Sequence, residues 1–273
     1  MGGVPSASAP GADIMGRAPV GREHVRRTAA PGPPGRPARR MTGGRMDEEE
    51  LGRVRDEAER CLGCGKPTCK DNCPVATPIP EVIELFRSGR ELEAGDLLME
   101  ANPLALACAL SCDTSTQCER HCIRGRRRRS EPVRFSEVER AVALLWLEAD
   151  AERAAGASAD GAEAAGAGIR ARVAVVGGGL CALACAIWLA RRGEAVTLFS
   201  DPVPALPEEA RGPYLAWLER LGVELAAPAE APAAGEGAPA AAGFARVVDC
   251  ADEDEPGYPA RAVARARRML EVG

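Results

Sequence analysis

Residues 61–74 read CLGCGKPTCKDNCP, a Cys-x2-Cys-x4-Cys-x3-Cys-Pro run. A second group follows as Cys108-x3-Cys112-x5-Cys118-x3-Cys122, so eight of the eleven cysteines lie between Cys61 and Cys122. Closely spaced thiolates on a loop deliver several ligands to one inorganic centre, and a distant residue completes the set. A proline directly after the last cysteine is typical of iron–sulfur runs. Zinc is the rival, because it also accepts four thiolates and His121 beside Cys122 offers a nitrogen. Zinc sites, however, usually pair two Cys-x2-Cys knuckles, and only one such pair is present. Metal-free buried cysteines are a third reading. Residues 1–45 hold no continuous apolar stretch of the secretory kind, which gives a disulfide framework no support.

The chain has 273 residues, 46% apolar, 27% charged and 3% aromatic, with a formal net charge of -5. That is room for one large domain or two small ones. It excludes a collagen, a coiled coil and a strongly basic nucleic-acid binder. Among the basic residues only Lys66 and Lys70 are lysines, an arginine bias from which no function is read. Residues 1–45 carry eight arginines against two acids and are rich in Pro, Gly and Ala. Such a stretch cannot bury enough apolar surface to offset its ordering entropy and is expected as a disordered tail, with Met41 or Met46 as possible starts. Its proline density weighs against an amphipathic transit peptide.

From residue 46 to about 150 the apolar residues recur at helical spacing: Ile79, Val82, Ile83 and Phe86 share a face, residues 92–101 repeat the pattern, and a further helix is expected over 136–150. Residues 151–170 form an Ala/Gly/Ser/Asp tract without a lasting apolar face and are expected as a linker. From 171 to 273 the signals change. Residues 173–190, VAVVGGGLCALACAIWLA, contain no charge, but three consecutive glycines argue for strand, turn and helix rather than a membrane span. Strand 173–176, helix 180–192 and strand 195–199 make a βαβ unit, followed by a helix near 214–221, a possible strand at 245–250 and a last helix at 260–270.

Taken together, the residues around the cysteines resemble a known family. The stretch AERCLGCGKPTCKDNCPVATPIPEVIELFRSGRELEAGDLLMEANPLA, then CERHC and SEVER, is similar to the N-terminal iron–sulfur domain shared by the glutamate synthase small subunit and dihydropyrimidine dehydrogenase. The likeness covers about residues 47–148. It implies a helical domain holding two [4Fe-4S] clusters with interleaved ligands. By position the first cluster takes Cys61, Cys64, Cys69 and Cys122; the second takes Cys73, Cys112, Cys118 and the carboxylate of Glu139. Where the family has Gly-Arg-Val-Cys-Pro, this chain reads Ala109-Leu110-Ser111-Cys112-Asp113, keeping the cysteine but not its frame. Cys108 is left over as a small buried hydrophobe. The run 124–129, RGRRRR, is read as a solvated loop, with docking of an acidic partner as the alternative.

Gly177, Gly178, Gly179 and Ala182 fit G-x-G-x-x-A at a strand-to-helix turn, where backbone approaches a pyrophosphate and the helix N-terminus offers partial positive charge. The acid expected at the end of the second strand is displaced: Ser200 follows Phe199, and Asp201 comes one position late. Residues 173–199 resemble the FAD-binding unit of the same family, whose NADPH-binding domain with its own glycine fingerprint has no counterpart here. Cys181 and Cys185 share one helix face and are read as buried packing residues. With only His24 and His121 in the chain, hydrolytic histidine catalysis is not expected.

The expectation is therefore an α-helical iron–sulfur domain followed by a truncated α/β Rossmann-like, FAD/NAD(P)-binding domain. Its implied role is that of a cytoplasmic oxidoreductase component. Two 4Fe-4S clusters relay electrons between a flavin and a redox partner subunit, with no nucleic-acid or membrane partner and no NADPH oxidation by the chain alone. The alternative is a non-catalytic iron–sulfur or zinc docking module with a vestigial flavin domain.

Overall fold

A computed structural model describes residues 46–127, 130–159, 171–200, 206–232, 243–250 and 259–271. The expected tail at 1–45 and Asp201 lie outside the described residues.

The first part is helical. Helix α1, Glu48–Glu59, starts where the Asp47 carboxylate accepts a hydrogen bond from the Glu50 amide (2.7 Å), with Glu48, Glu49 and Glu50 facing the positive end of the helix. A short α2, Thr68–Asp71, carries Cys69. In α3, Ile79–Arg87, the i, i+3, i+4, i+7 stripe Ile79, Val82, Ile83 and Phe86 is buried as its periodicity predicts. Each of these side chains contributes about 1.5–3 kcal/mol of apolar burial before conformational entropy is subtracted. Helix α4, Glu91–Ala101, packs on α3, and α5, Ala105–Ser111, follows after Asn102 and Pro103. Helix α6, Ile123–Arg127, covers the start of the arginine run, so residues 124–127 are helical where a loop was expected. The long α7, Phe135–Ala159, crosses α1, α4 and α5. It continues beyond residue 150, so 151–159 are helical rather than linker: the alanines and acids of that tract favour helix even without an apolar stripe.

The second part is a parallel sheet with helices. Strands β1 (Arg172–Val176), β2 (Ala195–Phe199), β3 (Glu224–Ala226) and β4 (Arg246–Asp249) stand in the order β3-β2-β1-β4, all parallel. Helix α8, Leu180–Arg191, connects β1 to β2, and α9, Glu208–Arg220, connects β2 to β3. The final helix α10, Pro259–Glu271, lies against α8. Because successive side chains of β1 point to opposite faces, Val173 and Val175 join the main core, while Ala174 joins Phe199 and Phe244 on the other face. The strand order reverses between β1 and β4. In open α/β sheets that crevice, beyond the carboxyl ends of the strands, is where ligands bind.

The two parts share one apolar core that runs from Val54 to Leu270. Trp146 of α7 meets Trp217 of α9 edge-on with ring centroids 5.2 Å apart, and its Nε1 donates to Asp96 (2.7 Å). Polar contacts reinforce this seam. Arg191 donates to the Met99 carbonyl (2.9 Å), Arg140 pairs with Glu209 (2.6 Å), and Arg267 of α10 donates to the carbonyls of Val75 (3.3 Å) and Ala101.

Candidate metal centres and the glycine turn

All eleven cysteines are free thiols. Those of the helical part line two adjoining hollows. The first is lined by Cys61, Cys64, Cys69 and Cys122 together with Cys118. The second is lined by Cys73, Cys112, Cys118 and Glu139, and also by Cys108 and Asn102. Cys118, Ile79 and Phe135 belong to both walls. His121 lines neither: it sits with Arg120 and Arg126 at a separate open hollow, its Nδ1 2.7 Å from the Gln117 carbonyl. The imidazole nitrogen that a zinc reading would use therefore lies away from the thiols.

Local structure explains the convergence around the first hollow. Gly63 has φ +55°, a left-handed conformation that reverses the chain between Cys61 and Cys64. The Thr68 hydroxyl donates to the His121 carbonyl (2.6 Å), fastening the Cys69 turn to the Cys122 turn. Arg124 donates to the Arg60 carbonyl (3.0 Å), and Arg60 donates to the Glu131 carbonyl (2.6 Å). Behind them the buried Glu57 carboxylate accepts from Arg60 (2.5 Å), from the Arg134 amide (2.8 Å) and from the Arg134 guanidinium (3.0 Å). Burial raises the Glu57 pKa, but these donors outweigh it and hold the carboxyl below its ordinary range.

The second hollow is built from the ends of α5 and α7. Cys112 closes α5, its amide donating to the Cys108 carbonyl (2.8 Å). Glu119 accepts from the Ser136 amide (3.2 Å) and hydroxyl (2.7 Å) in the first turn of α7, which brings Cys118 beside Glu139. Buried Asn102 donates to the Cys108 sulfur (3.2 Å) and accepts from the Leu104 amide (3.1 Å). After Cys73 the chain turns through Ala76 at φ +54°, a conformation that costs a non-glycine residue about 1 kcal/mol or more. Asn102 and Glu119 have no sequence signal of their own, and Cys108, expected to be only a packing residue, reaches the wall of the hollow.

The electrostatics divide the donors into the same two sets. Burial raises Cys61, with Cys64 and Cys122 adding to it, and burial raises Cys69 to about 11, with Cys122 and Cys61 adding to it. Burial, then Glu139 and Cys73, push Cys112 to about 12 and Cys118 higher still, and burial lifts Glu139 itself to about 8. Anionic ligands so confined need a cation beside them to stay charged. A sulfur-rich donor set without imidazole, in apolar hollows, fits iron–sulfur centres.

At the other site Gly177 has φ +137°, and a Cβ there would come within 2.9 Å of the Cys250 backbone, so the turn after β1 admits only glycine. Gly179 caps α8, Ala182 is buried in its first turn, and Gly178 lies open enough that a Cβ would meet only Ser200 Oγ, at 3.8 Å. This turn, at the point where the strand order reverses, fits a pyrophosphate.

A cysteine-lined helical region ahead of a parallel sheet with a glycine turn defines a redox protein of the iron–sulfur and dinucleotide-fold class. Residues 44–150 match the model of the family described as dihydropyrimidine dehydrogenase domain II, 4Fe-4S cluster, and residues 142–262 match that of pyridine nucleotide-disulphide oxidoreductase. The chain is similar to the glutamate synthase [NADPH] small chain of Escherichia coli, 30% identical over 153 residues, covering 54% of this chain and 29% of that one. It is also similar to the small chains of Mycobacterium tuberculosis (31% over 159 residues; 56% and 28%) and Azospirillum brasilense (34% over 71 residues; 26% and 15%). These matches support a likeness to the iron–sulfur domain family of the glutamate synthase small subunit and dihydropyrimidine dehydrogenase over the helical part, with a Rossmann-like region after it. It spans less than a third of the length of these curated relatives. No helix among the described residues is long and apolar enough to cross a membrane.

Proposed function

We propose that the chain is a cytoplasmic electron-carrying oxidoreductase component. Two [4Fe-4S] clusters link a flavin to a redox partner subunit; that several relatives are named as small chains supports the partner. The observation that carries this reading is the pair of cysteine-lined hollows that share Cys118, Ile79 and Phe135. Such clusters, when bound, supply one-electron carriers whose potential depends on ligand charge, hydrogen bonding and solvent exposure. Cys61, Cys64, Cys69 and Cys122 would hold the first, and Cys73, Cys112, Cys118 and Glu139 the second.

The chain's own residues do the rest. Ile79, Ile83 and Phe135 keep water from the thiols, and the positive charge of Arg87 acts on Cys61. The Asn102 amide offers a hydrogen bond to sulfur on the side of the second. The glycine turn of residues 177–179 would receive a flavin pyrophosphate on the N-terminus of α8, on the side where Ser200 follows β2; the sequence candidate Asp201 lies outside the described residues.

Dithionite reduction of anaerobically purified protein, followed by electron paramagnetic resonance, tests the reading. Two overlapping cluster signals are expected, with Glu139→Ala altering one set and Cys108→Ala neither. A magnetically silent, zinc-containing protein would establish the docking-module alternative instead. Signals unchanged by Glu139→Ala would remove that carboxylate from the ligand set.

A further inference from the structure

The three cysteines outside the helical part come together. The Sγ atoms of Cys181, Cys185 and Cys250 lie within 4.8 Å of one another, and the residues are 3%, 0% and 1% exposed. They come from separate places: Cys181 and Cys185 are one turn apart on α8, while Cys250 follows β4, its amide donating to the Val176 carbonyl (2.7 Å). A fourth sulfur joins from α10. Met269 Sδ is 3.6 Å from Cys181 Sγ and 4.0 Å from Cys250 Sγ.

The spacing selects among the chemistries that three thiols offer. A tetrahedral ion with metal–sulfur bonds of about 2.3 Å holds its sulfurs about 3.8 Å apart, and the 3.6 and 4.0 Å from Met269 to Cys181 and Cys250 bracket that value while the three thiols stay within 4.8 Å of one another. The corner ligands of a four-iron cube stand much farther apart, and a disulfide would use two of the sulfurs and leave the third thiol and the thioether without a role. Thiolates with a thioether, and no carboxylate or imidazole in the cluster, suit monovalent copper better than zinc. Three thiolates around a monovalent ion leave two negative charges to be offset. Arg265 and Arg268 of α10, the helix that also carries Met269, bring positive charge to Cys181.

We propose that Cys181, Cys185 and Cys250, with Met269 as the fourth donor, form a mononuclear Cu(I) site that cross-links α8, the end of β4 and α10. On binding, the thiols release their protons to solvent, sulfur–copper bonds form, and the copper stays monovalent, so no oxidant or reductant is consumed. The ion would bind the last helix of a four-stranded unit to the strand and helix that form the glycine turn, a place where a small α/β fold has little core to spare. The proposal does not depend on the electron-relay reading, because it shares no ligand with the helical part.

The test titrates the full chain, with its iron–sulfur centres assembled anaerobically, with Cu(I) buffered by a competing chelator, and counts copper per chain. Wild type is expected to retain about one more Cu(I) than the Cys181→Ala/Cys185→Ala/Cys250→Ala variant, whatever the other eight cysteines bind. Met269→Leu is expected to keep the ion but bind it about tenfold more weakly. X-ray absorption on copper-loaded wild type, which needs no variant to fold, is expected to show a sulfur-only shell, and the thermal midpoint is expected to rise with copper. Equal copper in wild type and triple variant, zinc retained in preference to copper, or a disulfide between any two of the three cysteines would each overturn the assignment.

Discussion

Glu57 holds the first cysteine loops in place, and its removal has a size and a pH signature that the structure fixes. Its carboxylate is 4% exposed and accepts three charge-assisted hydrogen bonds, two from Arg134 and one from Arg60. Each is worth about 1.5–3 kcal/mol when the partner is desolvated. The Arg134 side chain is 50% exposed and Arg60 27%, so both guanidiniums regain water once the carboxylate is gone, and the sum must be cut accordingly. Glu57→Gln keeps the shape but turns an amide donor towards the arginines. It should cost about 2–3 kcal/mol, short of the full penalty for breaking a buried pair. In a chain of this length that lowers the thermal midpoint by about 4–10 °C.

The pH dependence has a definite sign. Because the folded carboxyl titrates below its ordinary value of 4.5, its stabilisation is complete above that value and disappears as the pH falls through the lower folded one. The gap between wild type and Glu57→Gln, followed by urea unfolding under anaerobic conditions, should therefore be full near about pH 7 and shrink as the pH falls below 4.5. A gap below about 0.5 kcal/mol at neutral pH, or one that stays constant into acid, would refute the network's role.

Three further changes test other parts of the architecture. Gly177→Ala places a Cβ 2.9 Å from the Cys250 backbone at φ +137°, so it should cost about 1–3 kcal/mol and remove any flavin retained on gentle purification; a stable, yellow variant would contradict the close-approach argument. Gly95→Ala would drive a Cβ into the Trp146 side chain, and that ring is held by Asp96 and Trp217. Overpacking of about 1–3 kcal/mol should outweigh the roughly 1 kcal/mol gained in helix propensity, seen as a lower thermal midpoint. Arg267→Ala removes the donor to the carbonyls of Val75 and Ala101, and should raise amide hydrogen exchange in α10 while leaving β1 and β2 protected.

Much of this molecule could be read from short-range pattern. The α3 stripe Ile79, Val82, Ile83 and Phe86 announces both the helix and its buried face. The β1–glycine–α8–β2 unit is bounded by the residues that strand and turn chemistry require. Helix α5 escaped the reading because Ala105–Ser111 is apolar all round and has no period to detect, and the extension of α7 because alanine propensity acts without an amphipathic stripe. Asn102, Glu119 and Glu57 gain their roles only from partners far along the chain. The gathering of Cys181, Cys185 and Cys250 depends on β4 pairing with β1, which no local pattern encodes. The likeness to the family supplied the assignment of Glu139, since a single glutamate on a long helix carries no such signal.

Iron and acid-labile sulfide, measured per chain on anaerobically assembled protein, test the electron-relay account most directly. The account predicts about eight of each, falling to about four when either Cys61 or Cys112 is replaced by alanine, because each belongs to a different cluster. Fewer than about one iron per chain with one or two zinc ions in its place would contradict it.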